Sequence, residues 1–168
     1  MSKIGLIYSF NTKKTAQIAD LIQKEFGENV ELINAESINK EIFTKHKLLI
    51  LGVPTWFDGE LPNYWDEFVP ELEDIDLKSF KVAIFGNGDQ VNYSENFCDG
   101  IGLMAQIIEN CGAELVGKTS IEGYSYERTK AVRDNQFLGL ALDFENQVSK
   151  NKERVKKWVE QLTKEFGK

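Results

Sequence analysis

The sequence predicts an α/β fold, a parallel sheet with helices on both faces. Two observations carry this. Short apolar runs alternate with longer amphipathic segments along the whole chain. The runs are apolar throughout instead of at every second residue, as a sheet buried on both faces requires. The length of 168 residues suits one domain with one sizeable core. No repeat, low-complexity tract or linker divides residues 1–168, so a single domain is expected.

IGLIY (4–8) is the first strand. A helical pattern follows, with Ala19, Ile22 and Phe26 on one stripe. VELIN (30–34) is the second strand and LLILGV (48–53) the third, followed by an aromatic-acidic helix near 62–72. VAIFG (82–86) is the fourth strand, followed by a helix over 95–111. On that helix Phe97, Ile101, Met104, Ile108 and Cys111 form a stripe, which makes Cys111 a small buried hydrophobe. ELVGKTSI and FLGLAL read as further strand material. In the C-terminal helix Val155, Trp158, Val159, Leu162 and Phe166 face the core.

Composition excludes several classes. No apolar run approaches the roughly 20 residues needed to span a bilayer. The N-terminus has no small-residue cleavage site and reads as a strand, so a cytoplasmic protein is expected. Two cysteines without a CxxC make a disulfide framework or thiol metal site unexpected. The single histidine, His46, lies in the polar TKHK and is expected to be solvated. Net charge is −7, unevenly spread: residues 48–117 hold thirteen acids and two bases. Residues 58–76 hold eight acids and no base. Such a face repels nucleic acid. It either attracts a basic protein partner or merely aids solubility, and charge alone leaves these two readings even.

In open α/β sheets ligands sit beyond the carboxyl ends of the strands. SFNTKKT (9–15) follows strand one and opens a helix. Its backbone N–H groups and hydroxyls suit a phosphate, although plain N-capping by Asn11 or Thr12 explains the same residues. It is not a P-loop, since GxxxxGK[ST] is absent. PTWFDGEL follows strand three, placing Trp56 in a loop where an aromatic gains little from burial. GNGDQVNYSENFCDG (86–100) follows strand four and supplies Tyr93. One phosphate cradle and two aromatic loops at one edge describe a site for a flat ring with a phosphate tail.

Four patterns resemble flavodoxins of the long-chain type: YSFNTKKT, GVPTWFDGEL, FGNGDQVNYSENFCDGIG and GYSYERTKAVRDNQFLGLALDFENQ. The similarity covers essentially the whole chain. The last pattern resembles the loop that splits the fifth strand in long-chain members, placing an insertion near 120–137. The resemblance implies a three-layer, five-stranded parallel sheet of order 2-1-3-4-5 and non-covalently bound FMN.

It also implies roles. Ser9, Phe10, Asn11, Thr12, Lys13, Lys14 and Thr15 would hold the phosphate, through backbone N–H groups and the Ser9, Thr12 and Thr15 hydroxyls. Pro54, Thr55, Trp56, Phe57, Asp58 and Gly59 would form the second loop. Trp56 would stack on the inner flavin face and Tyr93 on the outer. The Phe57–Asp58 peptide lies where the family's redox-linked flip occurs, and a positive φ there costs a non-glycine residue about 1 kcal/mol or more. Asn87, Gly88, Asp89, Asn96 and Cys98 would meet the pyrimidine edge, Asp89 and Cys98 mainly through backbone atoms. Glu145 lies near the expected ribityl position and is left outside the site. The chain departs from the family at Ser9 and Lys13, where glycine is usual.

The implied function is a low-potential one-electron carrier shuttling between semiquinone and hydroquinone, with no catalytic residue and no metal. Implied partners are redox proteins such as ferredoxin/flavodoxin-NADP reductase, pyruvate oxidoreductase or nitrogenase, docking on the acidic face of a monomer. The alternative on the same fold is an FMN-dependent NAD(P)H:quinone reductase, which must leave a flavin face open. A phospho-acceptor receiver domain needs acids after strands one and three, where this chain has SFNTKK and GVPT.

Overall fold

The computed structural model describes residues 2–167. The parallel sheet is built from β1 (Ile4–Tyr8), β2 (Val30–Asn34), β3 (Leu48–Gly52), β4 (Lys81–Asn87), β5 (Glu114–Leu115) and β9 (Leu140–Leu142). The order is β2-β1-β3-β4-β5, and β9 also pairs with β4. The fifth position is thus shared by two short strands. β5 pairs with the start of β4 (Lys81 and Val82), and β9 with its end (Phe85 to Asn87). Between them lie β6 (Thr119–Ser120), β7 (Val132–Arg133) and β8 (Gln136–Phe137), a small antiparallel sheet of order β6-β8-β7. The ELVGKTSI stretch is therefore two strand fragments of separate sheets.

All residues of β1 and β3 are buried, and alternation sends their side chains to opposite faces. Ile7, Leu49, Leu51 and Ile84 pack with α5 (Asp99–Asn110) on one face. Leu6, Ile50, Ala83 and Phe85 pack on the other with α1 (Lys14–Phe26) and α6 (Val148–Phe166). The core-facing residues expected of α6, Val155, Trp158, Val159, Leu162 and Phe166, are all buried. No helix among the described residues is long and apolar enough to cross a membrane.

Four expectations need correction. The helix near 62–72 is two single turns, α3 (Asn63–Asp66) and α4 (Val69–Leu72). Pro70 lies in the first turn of α4 and has no N–H to continue the ladder from α3. The helix expected over 95–111 begins at Asp99, because Cys98 sits in the left-handed region at φ 54°. Cys111 is half-buried, its thiol donating to the Leu72 carbonyl at 3.3 Å. His46 is not solvated: its side chain is only 13% exposed and its Nε2 is paired with Glu31.

Candidate functional site

The carboxyl ends of β1, β3 and β4 deliver their loops to one cavity of ≈ 690 Å³. Lys14, Thr55, Trp56, Phe57, Asn87, Gly88, Asp89, Tyr93, Asn96 and Cys98 line it. All three expected loops therefore meet there. Ser9, Phe10, Asn11, Thr12, Lys13, Thr15, Pro54, Asp58 and Gly59 belong to the same loops but do not line it. Glu145, left outside the expected site, does line it, and it forms an ion pair with Lys14.

Trp56 sits in a tight loop closed by reciprocal backbone bonds with Glu60, at 2.8 and 2.7 Å. Its ring is held edge-on by Tyr64, with centroids 5.9 Å apart. Phe57 projects outward, 74% exposed, with φ 49°. Gly59 takes φ 93°, and a Cβ there would lie 2.5 Å from Asp99 Oδ2, so only glycine fits. Thr55 Oγ1 accepts the Gly100 N–H at 2.9 Å, tying this loop to the start of α5.

The β4 loop is held by the buried carboxylates of Asp89 and Asp143. Asp89 accepts from the backbone N–H groups of Val91 and Asn92 and from the side chains of Asn92 and Asn146. Burial pushes its pKa up, but these bonds outweigh that and hold it at about 2. Burial raises the Cys98 thiol well above its ordinary value, with Asp143 and Asp99 adding to the effect, so no thiolate forms there.

At the first loop neither Asn11 nor Thr12 caps α1 with its side chain, so the N-capping explanation fails. The Ser9 hydroxyl donates to Glu36, Thr12 Oγ1 to the Ser9 carbonyl, and Thr15 Oγ1 to Asn87 Oδ1. Among the described residues, the backbone N–H groups of Lys13, Lys14, Thr15 and Ala16 donate to no protein acceptor. Free donors and the positive end of a helix dipole suit an anion.

Residues 6–158 match the family model described as Flavodoxin. The chain belongs to the flavodoxin family. It is 44% identical to the flavodoxin of Synechococcus elongatus over 99% of both chains. It is 41% identical to flavodoxin 1 of Escherichia coli K12, over 99% of this chain and 96% of that one. Among solved structures, Fusobacterium nucleatum flavodoxin bound to flavin mononucleotide superposes with TM-score 0.93 at 35% identity, covering 98% of this chain and 99% of that one. The expected sheet order is thus both observed and shared with a solved flavodoxin.

Sequence reasoning missed Glu36, Gln90, Asp143 and Asn146 as supports of the site. Asp143 carried one usable signal, being a carboxylate immediately after the apolar FLGLAL. Glu36 carried none, because its partners lie 25 and 27 residues away.

Proposed function

We propose that this chain binds one FMN non-covalently in the ≈ 690 Å³ cavity and serves as a low-potential electron carrier. The observation carrying this reading is that Trp56, Tyr93 and the polar Asn87–Asp89 edge line one cavity beside free N–H groups at the start of α1. The volume is in the range of small-molecule sites. The related Fusobacterium nucleatum protein is bound to FMN both as such and as its K13G mutant. FMN, when bound, supplies one-electron redox chemistry.

The residues of this chain would bind it and tune it. The N–H groups of Lys13 to Ala16 hold the terminal phosphate, with the Lys14 ammonium nearby. Trp56 and Tyr93 supply aromatic walls and exclude water. Asn87, Gly88 and Asn96 meet the polar edge of the ring system. Asp89 and Asp143 both have lowered pKa values and are ionised at neutral pH. Negative charge beside the cavity makes each added electron costlier, which lowers the potential.

The acids of residues 58–76 are all exposed. None pairs with a base among the described residues. They form a docking face for a basic redox partner such as an NADP reductase.

The test is an absorbance titration of the flavin-free protein. One FMN per chain is expected. Riboflavin should bind roughly tenfold or more weakly, the scale of one or two charge-assisted hydrogen bonds. Equal affinity for both flavins would remove the phosphate role of the first loop, and failure to bind either would overturn the reading.

A further inference from the structure

The loop between β1 and α1 lacks glycine and has no side-chain cap, so something else must fix its shape. The turn following β2 does so. One oxygen of Glu36, Oε2, accepts from Ser9 Oγ at 2.5 Å and from Asn11 Nδ2 at 2.7 Å. Beside it, Asn34 Oδ1 accepts from the Phe10 N–H at 3.3 Å and the Glu36 N–H at 3.2 Å. Ser9 Oγ also accepts the Asn11 N–H at 3.3 Å. The loop is thus tied sideways to its neighbour by a carboxylate and an amide.

We propose that Glu36 is a positioning residue for phosphate binding, holding Ser9–Asn11 so that the free N–H groups of Lys13 to Ala16 face the phosphate. This rests on the FMN reading above. Three observations favour a brace over a rival anion. Ser9 is buried, 2% exposed, so its bond to Glu36 is shielded from water at the serine end. Glu36, Ser9 and Asn11 do not line the cavity, whereas Lys14, the first residue of α1, does. The single Ser9 hydroxyl hydrogen is spent on Glu36, which leaves the backbone N–H groups as the phosphate donors. Glu36 therefore supplies by a tertiary bond the loop shape that glycines supply elsewhere in the family.

The carboxylate has two separable properties, its reach and its charge. E36D keeps the charge and shortens the reach by one methylene. E36Q keeps an oxygen acceptor at full reach and removes the charge. FMN and riboflavin affinities are measured for the natural chain and both variants, with thermal melting of the flavin-free proteins alongside. In E36D, FMN affinity should fall about fivefold, the scale of one ordinary hydrogen bond, while riboflavin affinity holds. E36Q should bind FMN at least as tightly as the natural chain, because an acceptor remains and a repelling charge is gone. E36D binding FMN as tightly as the natural chain, or tighter, would overturn the proposal by showing an idle or competing carboxylate. An equal loss in E36Q and E36D would also overturn it, since acceptor position would then not be the cause. Equal FMN and riboflavin affinity in the natural chain would sink the FMN reading itself, and this proposal with it.

Discussion

Asp143 accepts two hydrogen bonds from Gln90, one from its backbone N–H at 3.0 Å and one from its side-chain amide at 2.9 Å. Asp143 is fully buried and also accepts from the backbone N–H groups of Glu145 and Asn146. Gln90 in turn accepts the Ser125 N–H at 2.6 Å. One carboxylate thereby joins the β4 loop to the β9–α6 loop, and Gln90 extends the link to the segment between β6 and β7. Asp143→Ala would leave both buried Gln90 donors without partners. We expect a loss on the order of 3 kcal/mol in unfolding free energy, together with weaker flavin binding. Denaturant unfolding checks the first, and a loss below about 1 kcal/mol would show that water replaces the carboxylate.

The same network sets an acid limit on stability. Burial raises the pKa of both Asp89 and Asp143, but their hydrogen bonds outweigh it, leaving both lowered and Asp89 at about 2. An unfolded aspartate titrates near about 3.9. A carboxyl depressed in the folded state contributes stability above the unfolded value and loses it as pH falls through the folded one. Stability should therefore drop between about pH 4 and pH 2. Asp89→Asn should be less stable at neutral pH and show a shallower slope in that window. An unchanged slope in equilibrium unfolding would mean that other carboxyls dominate the acid transition.

How much was legible depends on whether a residue's role is local. β1 and β3 were legible because every residue in them is apolar and buried. Trp56 was legible because a large aromatic in a polar loop needs a reason. Hydroxyl contacts were not: in the fold Ser9, Thr12 and Thr15 donate to Glu36, the Ser9 carbonyl and Asn87 Oδ1. His46 looked solvated because its neighbours are polar, whereas its partner Glu31 comes from the preceding strand β2. The break at Pro70 was readable from its missing N–H, which removes the bond that would carry α3 into α4.

The acidic face should govern association rate. Asp66, Glu67 and Glu71 are exposed, and screening acts on exposed charges over roughly 8–10 Å at physiological salt. Reduction by a basic reductase should slow as salt rises. Asp66→Asn, Glu67→Gln and Glu71→Gln together should slow it roughly tenfold at low salt, leaving the flavin spectrum unchanged. Stopped-flow rates that ignore salt would leave these acids a purely solvating role.

Phe57 occupies the left-handed region, with φ 49°. The backbone cost expected of a positive φ at the Phe57–Asp58 peptide is therefore carried by the fold itself. A residue with a Cβ in this region costs about 1–2 kcal/mol, and glycine does not carry that cost. Glycine loses more freedom on folding, by about 0.5–1 kcal/mol. The ring offers little against the exchange, being 74% exposed, with the Trp56 ring centroid 6.3 Å away. Phe57→Gly should thus raise the unfolding free energy by about 0.5–1 kcal/mol. Where the oxidised and reduced states share this backbone, relief of the strain cancels between them, and the first reduction potential should move by less than about 40 mV, the equivalent of 1 kcal/mol in a one-electron step. Denaturant unfolding and a redox titration of the same variant check the two halves separately. Unchanged or lower stability would mean that the Trp56–Phe57 contact offsets the strain, and a larger rise in potential would place the strain in the reduced form instead.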